Sequence, residues 1–483
     1  MSSFAPFPTS PLTVMEIRVI VFTSSQVVLP DQDAPVPATI EIDPAAGKII
    51  AVREGIEPES SYGPGTEYID LGNKYLLPGL VDSHVHLNEP GRTDWEGFHT
   101  GTRAALAGGI TCVVDMPLNS LPPTTTRENL EVKRRAAQGQ CWTDVGFWGG
   151  VIPGNEQGLE KMVDAGVKGF KCFLVDSGVS EFPHVEEVHL RRALPHLKNL
   201  PTRLLFHAEV AVADVQRQTA TVDQIAHDTH AYSTFLQSRP DSSELAALSL
   251  ILSLAPSAPH LPLHIVHLSS AQCLAPIAAA KAAGVRLTVE TCFHYLCLEA
   301  EKIGRGRTDY KCCPPIRTAS NRAQLWEGLK QGTIDFVVSD HSPCTRALKQ
   351  LDQEGGGDFM DAWGGVSSLG LGMSLLLSEG RHHGVGIREC VRWMGEHTAR
   401  FVGLEGRKGK LMVGADADLV VFDPEEEHTI SIHTILVKNK VTPYDGHTVK
   451  GRVKQTWLRG QLAFDSSRGE LGFEGLQPRG GFI

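Results

Sequence analysis

The sequence lacks the short motifs that mark the most familiar nucleotide-binding and serine-hydrolase sites. It contains no G-x-x-x-x-G-K-S/T, no G-x-G-x-x-G after a predicted strand and no G-x-S-x-G. The first two motifs cradle phosphates with glycine-rich backbone, and the third presents a nucleophilic serine. Their absence removes the simplest forms of both functions.

Features of export and membrane insertion are also missing. The N-terminal segment has no basic region followed by an apolar one, and the most apolar stretch, 246–255, stops at Pro256 and is too short to span a bilayer. The ten cysteines form no C-x-x-C pair, and no N-x-S/T acceptor occurs. We therefore expect reduced thiols, no membrane partner and a cytoplasmic location.

The sequence has no excess of positive charge. Its 45 basic and 56 acidic residues give a net charge of −11 without long runs of either sign, which argues against nucleic acids and anionic membranes as partners. With 41% hydrophobic and 21% charged residues, the 483-residue chain has the composition of a folded protein that is too long for one ordinary domain.

The middle of the sequence repeats a short apolar, β-branched run followed by a longer segment with helical spacing, as in 95–107 and 271–283. Near-continuous apolar strands that alternate with helices are typical of a parallel (β/α)8 barrel, and an open doubly wound sheet is the alternative. The eight predicted strand runs are 75–87, 110–118, 144–152, 167–174, 203–210, 263–270, 285–292 and 334–342.

Both ends of the chain have a different hydrophobic pattern from the middle. Residues 14–56, 409–424 and 451–464 alternate apolar and polar positions without a long helical pattern. Neither end carries enough apolar surface to fold alone, so we predict one small β-sandwich built from both. The predicted division is 1–74 and 405–483 for the sandwich and 75–404 for the barrel. The last residues, 476–483, are expected to fray.

Five candidate metal ligands fall at the ends of predicted strands. His84 and His86 are two apart and share a face, as two ligands of one ion must. A lone H-x-H is weak, but His207, His267 and Asp340 close the fifth, sixth and eighth runs. The carboxyl ends of barrel strands converge on one mouth, so the sequence predicts a single site there.

Lys171 ends the fourth run and points at the same mouth. The structural interpretation is a lysine that extends to solvent or pairs with a carboxylate. The functional one is that the desolvated neutral amine has reacted with carbon dioxide. The resulting carbamate is an anion with two oxygens, which can bridge two divalent ions.

These residues sit in motifs that resemble those of the cyclic amidohydrolases, the dihydroorotase- and hydantoinase-like metal-dependent hydrolases, and most of all their allantoinase branch. The resemblance covers residues 75–452. It rests on SHVHLNEPGRTDWEGF, GFKCFL, HAE, HIVHLSS, ETCFHYL, KCCPPIR, SDHSPC, WGGVSSLG and KNKVTPYDGH.

The resemblance implies two divalent ions, with zinc as the default, and a homotetramer. One ion would be held by His84, His86, carbamylated Lys171 and Asp340, and the other by Lys171, His207 and His267. A hydroxide bridging the ions would open a ring amide, with Asp340 as the catalytic acid and base. Applied to allantoin, this reaction gives allantoate.

The choice of substrate within the family rests on fewer positions. Asn88 stands where dihydroorotase-like sequences carry a carboxylate-binding arginine, and Asp176 stands where hydantoinase-like sequences carry a tyrosine. An uncharged cyclic ureide is therefore expected, with hydantoinase or dihydropyrimidinase activity as the alternative and a non-catalytic scaffold relative as a third. Asn88, Asn119, Cys313 and Gly364 are the predicted substrate contacts. The glycine-containing segment 344–365 is either a mobile cover or a solvated surface loop.

Overall fold

The computed structural model describes residues 19–211 and 228–483; residues 1–18 of the predicted N-terminal part lie outside them. Strands dominate both chain ends, and strands alternating with helices form the middle. The strands are β1 (Val19–Val27), β2 (Val36–Asp43), β3 (Lys48–Glu54), β4 (Thr66–Asp70), β5 (Tyr75–Pro78), β6 (Leu80–Val85), β7 (Ile110–Asp115), β8 (Asp144–Phe147), β9 (Gly149–Gly150), β10 (Phe170–Phe173), β11 (Leu204–His207), β12 (Leu263–Ile265), β13 (Leu287–Cys292), β14 (Phe336–Val338), β15 (Leu419–Thr429), β16 (Thr448–Leu458) and β17 (Gln461–Asp465).

The helices lie mainly between the strands of the middle region. Those in the described residues are Phe98–Ala107, Arg127–Ala137, Leu159–Asp164, Glu187–Leu197, Tyr232–Ser238, Asp241–Leu254, Leu274–Ala282, Phe293–Cys297, Ala319–Lys330, Gly372–Gly380, Ile387–Val391, His397–Phe401 and Gly469–Gly472, with a π-helical turn at Arg392–Glu396. None of the helices in residues 19–211 and 228–483 has the length and apolar character that crossing a membrane requires.

The parallel strands β6 to β14 form the predicted barrel. β6, β7 and β8 pair in one parallel sheet, β9 to β14 pair in another, and a bridge between Val85 and His341 joins the first strand to the end of the last. All six residues of β6 and of β7 are buried, as expected for strands covered on both faces. This pairing confirms the (β/α)8 barrel and contradicts the open-sheet alternative.

The two chain ends meet in a sheet of their own, as predicted. Its strand order is β17-β16-β15-β5-β1-β2-β3, with β4 also paired to β1. The ends join where β15 runs antiparallel to β5, which in turn runs parallel to β1. Some apolar residues of these strands, such as Phe22 and Ile40, form a core separate from that of the barrel, and others, such as Val420 and Phe422, belong to the barrel core. Neither end therefore has to bury its apolar face alone.

The first predicted barrel run, 75–87, divides into two strands in different sheets. β5 belongs to the end sheet, and the barrel strand β6 begins after Gly79. The backbone N–H of Gly79 donates to the carbonyl of Asp418 at 2.8 Å, and a Cβ on Gly79 would lie 2.3 Å from Thr111 Oγ1. The chain crosses between sheets at a point where a side chain has no room. The exact domain boundaries at 74/75 and 404/405 stay predictions.

The expectation that the C-terminal residues fray is wrong. The backbone N–H of Val145 in β8 donates to Gly481 at 2.9 Å, and the N–H of Ile483 donates to Val145 at 3.1 Å. The Phe482 ring lies 5.5 Å from the ring of Phe147. The C-terminus therefore pairs with a barrel strand. This is a long-range contact, which the local sequence pattern does not predict.

Two predicted helices begin three residues later than the sequence suggested. The helix predicted over 95–107 begins at Phe98, because the preceding Gly97 has a φ of 113°, outside the helical region. The helix predicted over 271–283 opens with a 3₁₀ turn at Ala271–Cys273 before its α-helical part. Both differences lie at helix starts, where boundaries are least well determined by periodicity.

Candidate active site

The carboxyl ends of five barrel strands carry the predicted ligands. β6 ends beside His84 and His86, β10 carries Lys171, and β11 ends at His207. His267 and Asp340 lie two residues beyond the last residues of β12 and β14, both with a φ of 40°. All six side chains are buried. Since these strands are parallel members of one barrel, their carboxyl ends bring the six residues to one mouth.

His84, His86 and Asp340 form the first half of this group. Asp340 Oδ1 lies 3.1 Å from His84 Nε2 and 3.5 Å from His86 Nε2. One donor atom of each residue lies within 4.8 Å of the others, close enough for all three to hold one ion. The buried His84 Nε2 nevertheless has no hydrogen-bond partner among the described residues. The His84 Nε2 atom is therefore close to the carboxylate of Asp340 without being hydrogen-bonded to it.

His207 and His267 form the second half. Their Nδ1 and Nε2 atoms, respectively, are 3.0 Å apart, and the rings stand edge to face with centroids 4.7 Å apart. The His267 ring centroid lies 5.5 Å from that of His84, which links the two halves. Two imidazole nitrogens thus face the same small volume beside the first group.

Lys171 lies close to both halves and is 1% exposed. Within residues 19–211 and 228–483 no carboxylate forms a salt bridge with its ammonium, which lies 5.2 Å from the Phe173 ring centroid. Burial lowers the pKa of Lys171 to about 8, although Asp340 and Glu290 act in the opposite direction. The ion-paired lysine of the structural interpretation is therefore not what the described residues form.

Glu290, which the sequence analysis did not select, orients His84. It lies in β13, is fully buried and forms a short hydrogen bond to His84 Nδ1. Burial raises the pKa of Glu290 well above its usual value, and burial also lowers the pKa of His84 well below its own. A bond at Nδ1 directs Nε2 toward Asp340, which is how carboxylates commonly fix the tautomer of a metal-binding histidine.

Glu209 holds His207 in a similar way. Its Oε2 accepts from His207 Nε2 at 2.8 Å and from Arg239 Nη1 at 2.7 Å. Burial alone would raise the pKa of Glu209, but Arg239 and His207 outweigh it and lower that pKa to about 2. Glu209 is therefore ionised near neutral pH, and its bond to Nε2 leaves Nδ1 of His207 facing His267. Its place in HAE, two residues after a predicted ligand, was the only sequence signal for it.

A cavity of about 570 Å³ opens above this group. His86, Lys171, His207, His267 and Asp340 line its floor, whereas His84 lies beneath them. Of the predicted substrate contacts, the structure brings Asn119, Cys313 and Gly364 to the cavity wall and leaves Asn88 outside its lining. The Asn88 side chain is buried, and its Nδ2 lies 3.4 Å from the carbonyl oxygen of Pro343. Substrate contact by these four residues stays a prediction.

The segment 344–365 forms part of the cavity wall. Residues 360–365 line the cavity, and two buried lysines hold the segment in place through hydrogen bonds. Lys349 Nζ donates to Gly365 O at 2.5 Å and to Lys311 O at 3.1 Å, and Lys311 Nζ donates to Met360 O at 3.1 Å. The segment is thus more than a solvated surface loop, and its motion as a cover stays a prediction.

The donor set fits a divalent metal ion. Imidazole nitrogens and carboxylate oxygens are ligands that such ions accept, at about 2.0–2.2 Å for zinc. Donor pairs 3.0 to 3.5 Å apart match two ligands of one ion at those bond lengths. His84 Nε2 is buried and has no hydrogen-bond partner within residues 19–211 and 228–483. A metal ion would supply the partner that a buried nitrogen normally has.

We expect Glu290→Gln to weaken metal binding by about 10- to 100-fold, since a residue that orients a ligand typically contributes that much. The amide preserves the shape but replaces one of the two carboxyl oxygens with an NH₂ group, which cannot accept from His84 Nδ1. The measurement is metal affinity by competition with a chelator, followed by metal analysis. Glu327→Gln, an exposed surface change on the helix Ala319–Lys330, is the control. Unchanged affinity in Glu290→Gln would contradict the orienting role.

Comparison with known proteins agrees with the resemblance seen in the motifs. Residues 75–463 match the Amidohydrolase family. The chain is 49% identical over 439 residues to the allantoinase of Saccharomyces cerevisiae, covering 90% of this chain and 93% of the yeast protein. It is 46% identical over 442 residues to the allantoinase of Streptomyces avermitilis, with 92% and 94% covered.

Solved structures of similar proteins support membership of the same family. The L-hydantoinase (dihydropyrimidinase) of Arthrobacter aurescens has a TM-score of 0.86 at 27% identity, and the match covers 96% of this chain and 99% of that one. The dihydropyrimidinase of Brevibacillus agri has a TM-score of 0.83 at 29% identity, with 96% and 98% covered. The motif match, the fold and the ring of histidines around a buried lysine all agree: the chain belongs to the amidohydrolase family.

Proposed function

We propose that this chain hydrolyses the ring amide of allantoin to give allantoate. The observation that carries the proposal is the group of four histidines and Asp340 around a buried lysine at the floor of the cavity. The relatives with the allantoinase name match over about nine-tenths of the chain at 46–49% identity, whereas the hydantoinases and dihydropyrimidinases match at 27–29%. Allantoin is therefore favoured over hydantoin and dihydropyrimidines.

Two divalent ions, zinc by default, would be held by these residues. We assign His84, His86, Lys171 and Asp340 to one ion, and Lys171, His207 and His267 to the other. The proposal is supported by donor separations of 3.1 and 3.5 Å in the first half and 3.0 Å in the second, and by Lys171, which lines the same cavity as members of both halves. The same six positions argue against a non-catalytic scaffold relative, because such a protein has no need to retain the whole donor set.

Lys171 would act as a carbamate. Its neutral Nζ would attack the carbon of CO₂, so that an N–C bond forms, the π pair of one C=O bond moves to oxygen, and Nζ loses one proton to solvent. The product carries one negative charge over two oxygens, so a buried amine that forms no salt bridge within the described residues becomes an anionic ligand. This change removes the conflict between an ammonium group and a site that collects cations.

Within this site the residues of the chain have distinct tasks. When bound, the ions would lower the pKa of a water molecule and polarise the substrate carbonyl. Asp340 takes the proton of the attacking water and returns it to the ring nitrogen as the C–N bond of the amide breaks. Glu290 and Glu209 hold His84 and His207 in fixed orientations, and the buried floor excludes other water from the reacting carbonyl.

The proposed substrate is tested with the purified, metal-replete protein. We expect kcat/KM for allantoin to exceed the values for hydantoin and dihydrouracil by about 100-fold or more, because hydrogen-bonding groups built for a polar arm are left unpaired by a ring that lacks it. Turnover is measured as the rate at which the ring-opened acid is released. A preference for dihydrouracil or hydantoin would favour the dihydropyrimidinase-type alternative. A homotetramer and a cytoplasmic location remain part of the proposal, to be tested by solution mass and cell fractionation.

A further inference from the structure

Arg239 lines the cavity but takes no part in the proposed metal chemistry. It follows the helix Tyr232–Ser238, and its side chain is 27% exposed. Its Nη1 donates to Glu209 at 2.7 Å, and the same Glu209 oxygen lies 2.8 Å from His207 Nε2. One buried carboxylate therefore joins a residue of the cavity floor to a guanidinium on the cavity wall.

The orientation of Arg239 is set from several sides. Its backbone carbonyl accepts from Arg317 Nη2 at 3.2 Å, and the helix before it packs its Tyr232 ring 5.3 Å from the ring of Phe359. A guanidinium carries five N–H donors in a rigid plane, so fixing one arm on Glu209 also fixes the direction of the others. A donor group that is held in place in this way loses little freedom when a ligand binds to it.

The charge of this pair points to a neutral, oxygen-bearing ligand group. Glu209 is 2% exposed and compensates the charge of Arg239. A carboxylate in the cavity would meet a cation that is already neutralised, whereas a carbonyl oxygen only needs a donor. Allantoin differs from hydantoin by an uncharged ureido arm, whose carbonyl oxygen is such an acceptor.

We propose that Arg239 is a specificity-determining residue that donates to the carbonyl oxygen of the substrate's ureido arm, with Glu209 as its positioning residue. The inference rests on the proposed function and extends it from the reacting ring to the part of the substrate that distinguishes it from simpler rings. The ring lies on the floor beside His207, and the arm reaches the wall that Glu209 links to the same histidine.

The test compares two ligands in wild-type protein and in Arg239→Gln. We expect the variant to raise KM for allantoin by about 10- to 100-fold, the range of a lost hydrogen bond to a charged group, with kcat reduced much less. The inhibition constant of hydantoin, measured against allantoin, should stay within about twofold of wild type because hydantoin has no arm. Metal content should equal that of wild type.

Arg239→Lys and Arg191→Gln complete the design. The lysine keeps the charge and one donor, so its KM should fall between those of wild type and Arg239→Gln. Arg191, on an exposed helix face in a pair with Glu187, is the control for loss of a guanidinium. Equal weakening of both ligands, an unchanged KM for allantoin, or loss of metal in both Arg239 variants would overturn the inference. Absence of allantoin turnover by the wild-type protein would instead contradict the proposed function.

Discussion

Replacing Lys171 with alanine should abolish both metal binding and turnover. If its carbamate is shared by two ions, its loss removes a ligand from each, and the metal-dependent nucleophile disappears with them. We expect kcat/KM to fall by roughly a thousandfold or more. Metal analysis after dialysis and turnover of allantoin are the two measurements. The protein should keep its fold, because the Lys171 ammonium forms no salt bridge within the described residues.

Short carboxylic acids provide a sharper form of the same test. Acetate or propionate can occupy the space left by the truncated side chain and offer two oxygens where the carbamate would stand. Added acid should therefore restore part of the metal content and activity of Lys171→Ala while leaving the wild type unaffected. Lys168→Ala removes an amine from the same sequence run, three residues before Lys171, and serves as the control. Wild-type metal content and rate in Lys171→Ala would refute the bridging role.

Asp340→Asn should separate metal binding from catalysis. The amide has the size of the carboxylate and keeps one oxygen, so much of the metal should remain bound. It cannot take the proton of the attacking water, so kcat should fall by about 10²- to 10⁴-fold, the range for loss of a general acid and base. The measurement is kcat in protein whose metal content has been determined. Asp361→Asn, an exposed change at the rim of the same cavity, is the control.

The three possible outcomes for Asp340→Asn lead to different mechanisms. A variant that holds its metal and turns over slowly supports a proton-transferring carboxylate. Near-wild-type turnover would contradict that role and would leave Asp340 as a ligand only. Loss of metal together with activity would make the ligand role dominant and would remove the case for a separate catalytic step.

The candidate ligands could be predicted because their signal is local. His84, His86, Lys171 and His207 stand at the ends of apolar runs, and parallel strands place their carboxyl ends at one mouth. The residues that orient them carry no such signal. Glu290 reads as an ordinary strand residue until the register of β13 beside β12 brings it to His84 and to the backbone N–H of His267.

The split at Gly79 and the pairing of the C-terminus were missed for a related reason. An apolar run predicts a buried strand, but it does not say which sheet the strand joins. β5 is drawn into the end sheet by β15, which lies more than 300 residues later in the chain. The C-terminal residues likewise acquire their order from β8, whereas their glycine-rich sequence taken alone predicts fraying.

By itself the sequence determined the barrel, the joint domain of the two chain ends and the six candidate ligands, because hydrophobic period and strand-end chemistry are encoded over short stretches. Only the tertiary structure decided which nitrogen of each histidine is available, how Glu209 links His207 to Arg239, and which predicted contacts reach the cavity. Those features depend on distances of about 3 Å between side chains far apart in the chain, and such distances are set when the strands pair and the core packs.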